Sequence, residues 1–139
     1  MERGVKFYFD ENLSPRFARV LTEVYHQSSH QLIPTTSDAR FPRGTKDFEI
    51  ISRLAAEAPK PVFLTADVNM HTKYPTERQA LVDSRLTVFF FKKGFQVLPF
   101  PDQVQKLIAT WPKVVYHAER CRTGAFEVNP NGKVIPIQL

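Results

Sequence analysis

Asp10 and Asp67 each stand just behind a short apolar run, Phe7 to Phe9 and Pro61 to Thr65. Both runs have the β-branched and aromatic character of buried strands. In open α/β sheets ligands bind outside the carboxyl ends of the strands. A carboxylate at such a place is either a turn cap or a ligand for a hard cation. Asp47 opens a helical pattern with Glu49 in the same turn. There a negative charge also complements the helix dipole, so the same two readings apply. If the two strands are neighbours, the three carboxylates converge, and such a group persists only with protons or cations. Mg²⁺ or Mn²⁺ with oxygen ligands and retained waters is the natural partner. An ion so held activates water and stabilises charge at a phosphodiester.

The elements that must position these groups follow in order. Asp10, Glu11 and Asn12 lie where the first strand hands over to a helix that starts at Ser14 and Pro15. Phe17, Val20, Leu21 and Val24 recur at helical spacing, which predicts a helix from Ser14 to about Tyr25. Arg16 in its first turn opposes the dipole, which points to a role with carboxylates or phosphate unless it is simply solvated. Residues 27–46 lack a clear period, apart from a short strand signal at His30 to Ile33. Within this long connection Arg40, Arg43 and Lys46, with Phe41 interleaved, predict a flexible nucleic-acid contact surface, with a solvated loop as the alternative.

Thr45 is the expected cap of the next helix, whose apolar stripe is Phe48, Ile51, Leu54 and Ala55 and which Pro59 and Pro61 terminate. The strand Pro61 to Thr65 ends in the polar groups Thr65, Asp67 and Asn69. Thr76 and Gln79 match a capping box, and Leu86 to Phe91 is the strongest strand. A helix opening at Phe100 to Asp102 meets Pro112, which predicts two helical pieces. Asn129-Pro130-Asn131-Gly132 between two β-like runs predicts a hairpin, with Pro136 marking an edge strand. That edge is open to a partner chain, a second copy included. The alternation predicts an α/β sandwich with a mostly parallel sheet.

At 139 residues the chain is expected to form one domain, with a core over about 5–117 and the hairpin over about 123–138. Its 42% hydrophobic and 24% charged residues suit a globular protein, and its longest apolar run is too short to span a bilayer. The opening residues lack the pattern of a secretory leader, and one cysteine, Cys121, excludes an internal disulfide framework. Both point to a cytoplasmic setting. A net charge of +5 favours polyanionic partners.

Phe9 to Ala18 (FDENLSPRFA), Asp47 to Ile51 (DFEII) and Phe63 to Met70 (FLTADVNM) resemble the three signature segments of the PIN-like nuclease families, relatives of the VapC-type toxins of toxin–antitoxin systems. The resemblance covers roughly residues 5–92. It implies a three-layer α/β/α PIN-like sandwich and a Mg²⁺- or Mn²⁺-dependent endoribonuclease with Asp10, Asp47 and Asp67 as its acidic site. Glu11, Asn12, Glu49 and Thr65 are supporting candidates, and Glu49 competes with Asp47 for the middle acidic position. Arg16, Arg43 and Lys73 are the candidate RNA contacts. The chain departs from the pattern at Asn69, where these families often place another acid. An amide binds a metal through its carbonyl but supplies no charge, which favours one-metal or weakened chemistry. The resemblance also implies an antitoxin that covers the acidic cleft with a cationic side chain.

Other chemistries lack their markers. His26 and His30 have helical i, i+4 spacing but no third zinc ligand, and neither dinucleotide nor P-loop glycine patterns occur. Phe89 to Phe91 are core residues before they are a stacking platform. A catalytically silent binding module is the second functional class, and a receiver-like domain with Mg²⁺ beside a phosphorylated aspartate is a third. The latter fits poorly, because Lys92 only loosely matches the lysine it needs.

Overall fold

Period-two alternation in the strands decides the layers. In this computed structural model, which describes residues 4–139, six strands form one sheet in the order β2-β1-β3-β4-β5-β6. They are β1 (Lys6–Phe9), β2 (Gln31–Pro34), β3 (Val62–Thr65), β4 (Thr87–Phe91), β5 (Gly124–Val128) and β6 (Val134–Ile137). β1 to β5 run parallel, and β6 returns antiparallel along β5. Phe7, Phe9, Leu64, Phe89, Phe91 and Phe126 point to one side. There they meet α1 (Pro15–Val24) and α6 (Phe100–Arg120) through Phe17, Leu21, Leu107, Trp111 and Val114. Tyr8, Phe63, Val88 and Phe90 point to the other side. Those side chains meet α2 (Asp47–Ala55), the short α3 (Asn69–Thr72) and α4 (Pro75–Ser84) through Ile50, Ile51, Leu54, Met70 and Leu81. A further short helix, α5 (Lys93–Gln96), follows β4. This is the α/β/α sandwich that the PIN-like resemblance implies, with a terminal hairpin.

The hairpin turns at Gly132, whose φ of 88° lies in the left-handed region that glycine enters without strain. Its outer strand β6 is a sheet edge and carries Pro136, as the sequence leads one to expect.

Several local expectations are corrected. Pro112 does not divide the last helix: α6 is continuous over 21 residues with Pro112 inside it. A proline cannot donate to the carbonyl four residues back, here that of Ile108. The Tyr25 hydroxyl donates to that oxygen at 2.7 Å, so the orphaned acceptor is satisfied from α1's end. Thr45 does not cap α2; its hydroxyl turns back to the Pro42 carbonyl, and Lys46 occupies the cap without a side-chain bond. Thr76 and Gln79 form no capping box, because Pro75 at the first helical position starts α4 earlier, with Tyr74 at the cap. The apolar stripe of α2 runs through Ile50, Ile51 and Leu54, leaving Phe48 51% exposed.

The basic loop is also partly corrected. Phe41 is buried, and the Arg40 guanidinium bonds to Asp38 at 2.9 Å, Glu57 at 3.1 Å and the Tyr8 hydroxyl at 3.1 Å. Arg40 holds the Asp38 carboxyl down at about 2. Neither Arg40 nor Phe41 belongs to a free contact surface. His30 is committed too: its Nδ1 accepts from the Val5 N–H at 2.9 Å and its Nε2 faces Glu119 at 3.2 Å.

The proline helix generates a test. Tyr25→Phe should destabilise the fold by about 1–2 kcal/mol in urea unfolding, the loss expected when a buried carbonyl loses its donor. In a Pro112→Ala background, where an N–H returns to serve Ile108, the same change should cost clearly less. Equal losses in both backgrounds would show that the hydroxyl does not substitute for the missing amide.

Candidate active site

β1 sits between β2 and β3, so successive connections leave it in opposite directions. Crevices at such a switch point, outside the carboxyl ends of the strands, are where open α/β sheets bind ligands. Asp10 and Thr65 lie there side by side. The Asp10 N–H continues the ladder to the Leu64 carbonyl at 2.8 Å. Asp10 is only 3% exposed. Its Oδ1 accepts from the Glu11 N–H at 2.9 Å, and its Oδ2 accepts from the Thr65 hydroxyl at 2.9 Å. Thr65 Oγ1 in turn accepts from the Asp67 N–H at 3.1 Å and the Asn12 side-chain amide at 3.2 Å. Asn12 Oδ1 accepts from the Ala66 N–H at 3.0 Å. Burial, the largest influence, pushes the Asp10 carboxyl up, and the two donors oppose it.

The second group is half-buried Asp47, at the first turn of α2. Its carboxyl is pushed up to about 6, first by burial and then by the negative charges of Asp10, Asp67, Glu77 and Glu11. Five carboxylates therefore act on one cleft. Among the described residues none of the five forms an ion pair with Lys, Arg or His. Asp67 lies within the field of this cluster, and its Oδ1 accepts from the Asn69 N–H at 3.1 Å where α3 begins. Glu49 instead faces Arg53 at 3.5 Å, one helical turn on. Glu11 receives the Gly44 N–H at 3.3 Å and 3.4 Å on its two oxygens, tying the 42–45 turn to the cleft.

The cationic candidates separate. The Arg16 guanidinium lies 4.1 Å over the Phe100 ring, and its backbone N–H is capped by Ser14. Arg43 is exposed beside Gly44, on the turn held by Glu11. Lys73 lies beyond α3 and lines a hollow with Tyr74 and Arg78. A separate hollow of about 860 Å³, with Lys6, Lys60, Arg85 and Arg122 in its wall, shares no residue with the acidic cleft.

The donors available for a cation are hard oxygens: the carboxylates of Asp10, Asp47 and Asp67, the Asn69 amide, and Glu77. This set suits Mg²⁺ or Mn²⁺ and not a soft metal. Among the described residues no three carboxylate, imidazole or thiol groups stand close enough to share one ion. Mutual repulsion of unneutralised carboxylates works against closer approach. Glu77 is the acidic residue that sequence reasoning missed. The one signal in the sequence is its place two residues beyond Pro75, in the first turn of α4, where an acid also complements the helix dipole.

A family model described as PIN like domain matches residues 5–93. No curated protein and no solved structure gives a match.

The raised Asp47 sets a stability test with a definite sign. Its folded-state value of about 6 lies above the usual 3.8, so the folded chain holds the extra proton between these limits. Asp47's favourable contribution is complete below about pH 4 and is lost as pH rises through about 6. In chelator at about pH 8, Asp47→Asn should therefore stabilise the protein by about 1 kcal/mol, after allowing for solvent screening of a half-exposed group. Near pH 4 the two proteins should unfold at the same urea concentration. Added Mn²⁺ should narrow or reverse the difference at about pH 8. A pH-independent gap would mean that the cluster does not repel Asp47.

Proposed function

Because the chain belongs to the PIN-like domain family, we propose that it is a metal-dependent endoribonuclease, the toxin component of a type II toxin–antitoxin pair. The observation that carries this is the group of five carboxylates, free of cationic partners among the described residues, at the switch point between β1 and β3. Asp10, Asp47 and Asp67 would hold Mg²⁺ or Mn²⁺, with Asn69 and Glu77 at the margin. When bound, the ion supplies an activated water and charge neutralisation at the scissile phosphate. The chain's own part is orientation. Thr65 and the Glu11 N–H fix the Asp10 carboxylate on its two oxygens, so it enters the site in one rotamer. Asn12 and the Asp67 backbone fix Thr65 in turn. The 42–45 turn, held by Glu11, brings Arg43 to the rim, where an RNA phosphate would meet it. An antitoxin that presents Lys or Arg to this cleft would stand in for both metal and substrate counter-charge.

Asn69 favours a second reading, in which the site binds RNA or protein with little catalysis, because one expected charge is replaced by an amide. The two separate in one experiment, cleavage of a mixed RNA pool with Mn²⁺, with EDTA, and with Asp10→Asn. The nuclease reading expects cleavage that falls by roughly a hundredfold or more on chelation and on the substitution. Retention of RNA without cleavage under any condition would leave the binding module as the function.

A further inference from the structure

The structure holds a second candidate site that the acidic cleft does not use. α3 and α4 meet around a hollow of about 420 Å³, walled by His71, Lys73, Tyr74, Arg78, Val82 and Leu139 among others. That volume is in the range of small-ligand pockets. Tyr74 is 45% exposed and Val82 44% exposed, so an aromatic ring and an apolar patch face solvent inside a concavity. Among the described residues neither Lys73 nor Arg78 enters an ion pair or a side-chain hydrogen bond, in contrast to Arg40, Arg53 and Lys92. A ring and two cations around a hollow of this size match a base and its flanking phosphates.

The position is as informative as the composition. The Asp67–Asn69 turn runs directly into α3, whose end carries Lys73 and Tyr74. Glu77 and Arg78 are neighbours in the first turn and a half of α4. Glu77 acts on Asp47, while Arg78 lines the hollow. One helix therefore borders both the acidic cleft and the hollow. An RNA strand that enters the acidic cleft past α4 has this cationic and aromatic hollow on the same helix.

We propose that the hollow between α3 and α4 is a nucleotide subsite for single-stranded RNA, with Tyr74 stacking on a base and Lys73 and Arg78 contacting the adjoining phosphates. This rests on the ribonuclease reading but is tested apart from it. Sequence-tolerant stacking on one exposed ring predicts little preference among bases. It also predicts that a duplex, whose bases are already stacked and paired, is a poor ligand.

The test is equilibrium binding of a fluorescent single-stranded oligoribonucleotide in EDTA, where no metal-dependent cleavage intervenes. Tyr74→Ala should weaken binding about tenfold with an unchanged salt dependence, while Tyr74→Phe keeps it. The double variant Lys73→Ala and Arg78→Ala should weaken binding and also flatten the dependence on salt, by roughly 0.7 in logarithmic slope for each phosphate no longer neutralised. Both sites are at the surface, and unchanged urea midpoints would confirm that the variants fold. Equal affinity and slope in all variants would overturn the proposal and leave the hollow to a protein partner. Wild-type cleavage that fails while these binding differences persist would overturn the nuclease and keep the subsite.

Discussion

Burial of the Asp10 carboxylate is the constraint from which the rest of the site follows. A carboxylate removed from water without partners costs several kcal/mol. Here the Glu11 N–H and the Thr65 hydroxyl offset part of that cost. The Thr65 bond exists only if β1 and β3 are hydrogen-bonded neighbours in the observed register, with Phe9 opposite Leu64. The connection through β2 must therefore pass to the outer side of β1 and return, which creates the crevice. Thr65 is itself saturated, donating once and accepting from Asn12 and Asp67. The result is a carboxylate whose direction is fixed before any ligand arrives.

The distribution of charge has a similar logic. The chain carries a net +5, yet five of its fourteen acidic residues act on one cleft. Several of the basic residues are paired with acids elsewhere: Arg40 with Asp38 and Glu57, Arg53 with Glu49, Lys92 with Glu127. Exposed pairs of this kind contribute little stability. They do keep those carboxylates from adding to the field at the cleft. Arg43, beside the Gly44 that Glu11 holds, and Lys73, in the hollow beyond α3, enter no such pair among the described residues.

Much of this was legible in the sequence, for reasons that differ by residue. The strands read correctly because aromatic and β-branched runs have few other uses, and the Asn-Gly turn fixed the hairpin. Asp10 and Asp67 were visible because strand ends are themselves visible. What failed were local rules overruled at a distance. Pro112 stays helical because Tyr25, 83 residues before Ile108 in the chain, serves the carbonyl that the proline abandons. Arg40 and Phe41 looked free because Tyr8, Asp38 and Glu57 converge on the guanidinium only in the folded chain. Glu77 was hidden because its role depends on how α4 lies against α2, which no short-range pattern encodes.

Glu77 also changes the meaning of Asn69. From the sequence, an amide at that position looks like a lost charge. In the fold, the backbone N–H of Asn69 already bonds to Asp67 Oδ1, so this position serves the turn whatever its side chain. The negative field on Asp47 comes from Asp10, Asp67, Glu77 and Glu11 together. Charge absent from the start of α3 is present on the first turn of α4, within the field at Asp47. The approach of the Glu77 carboxylate is set by α4 packing on α2. The acidity of the site is therefore coupled to the contact between two helices, and not only to the strand ends that carry Asp10 and Asp67.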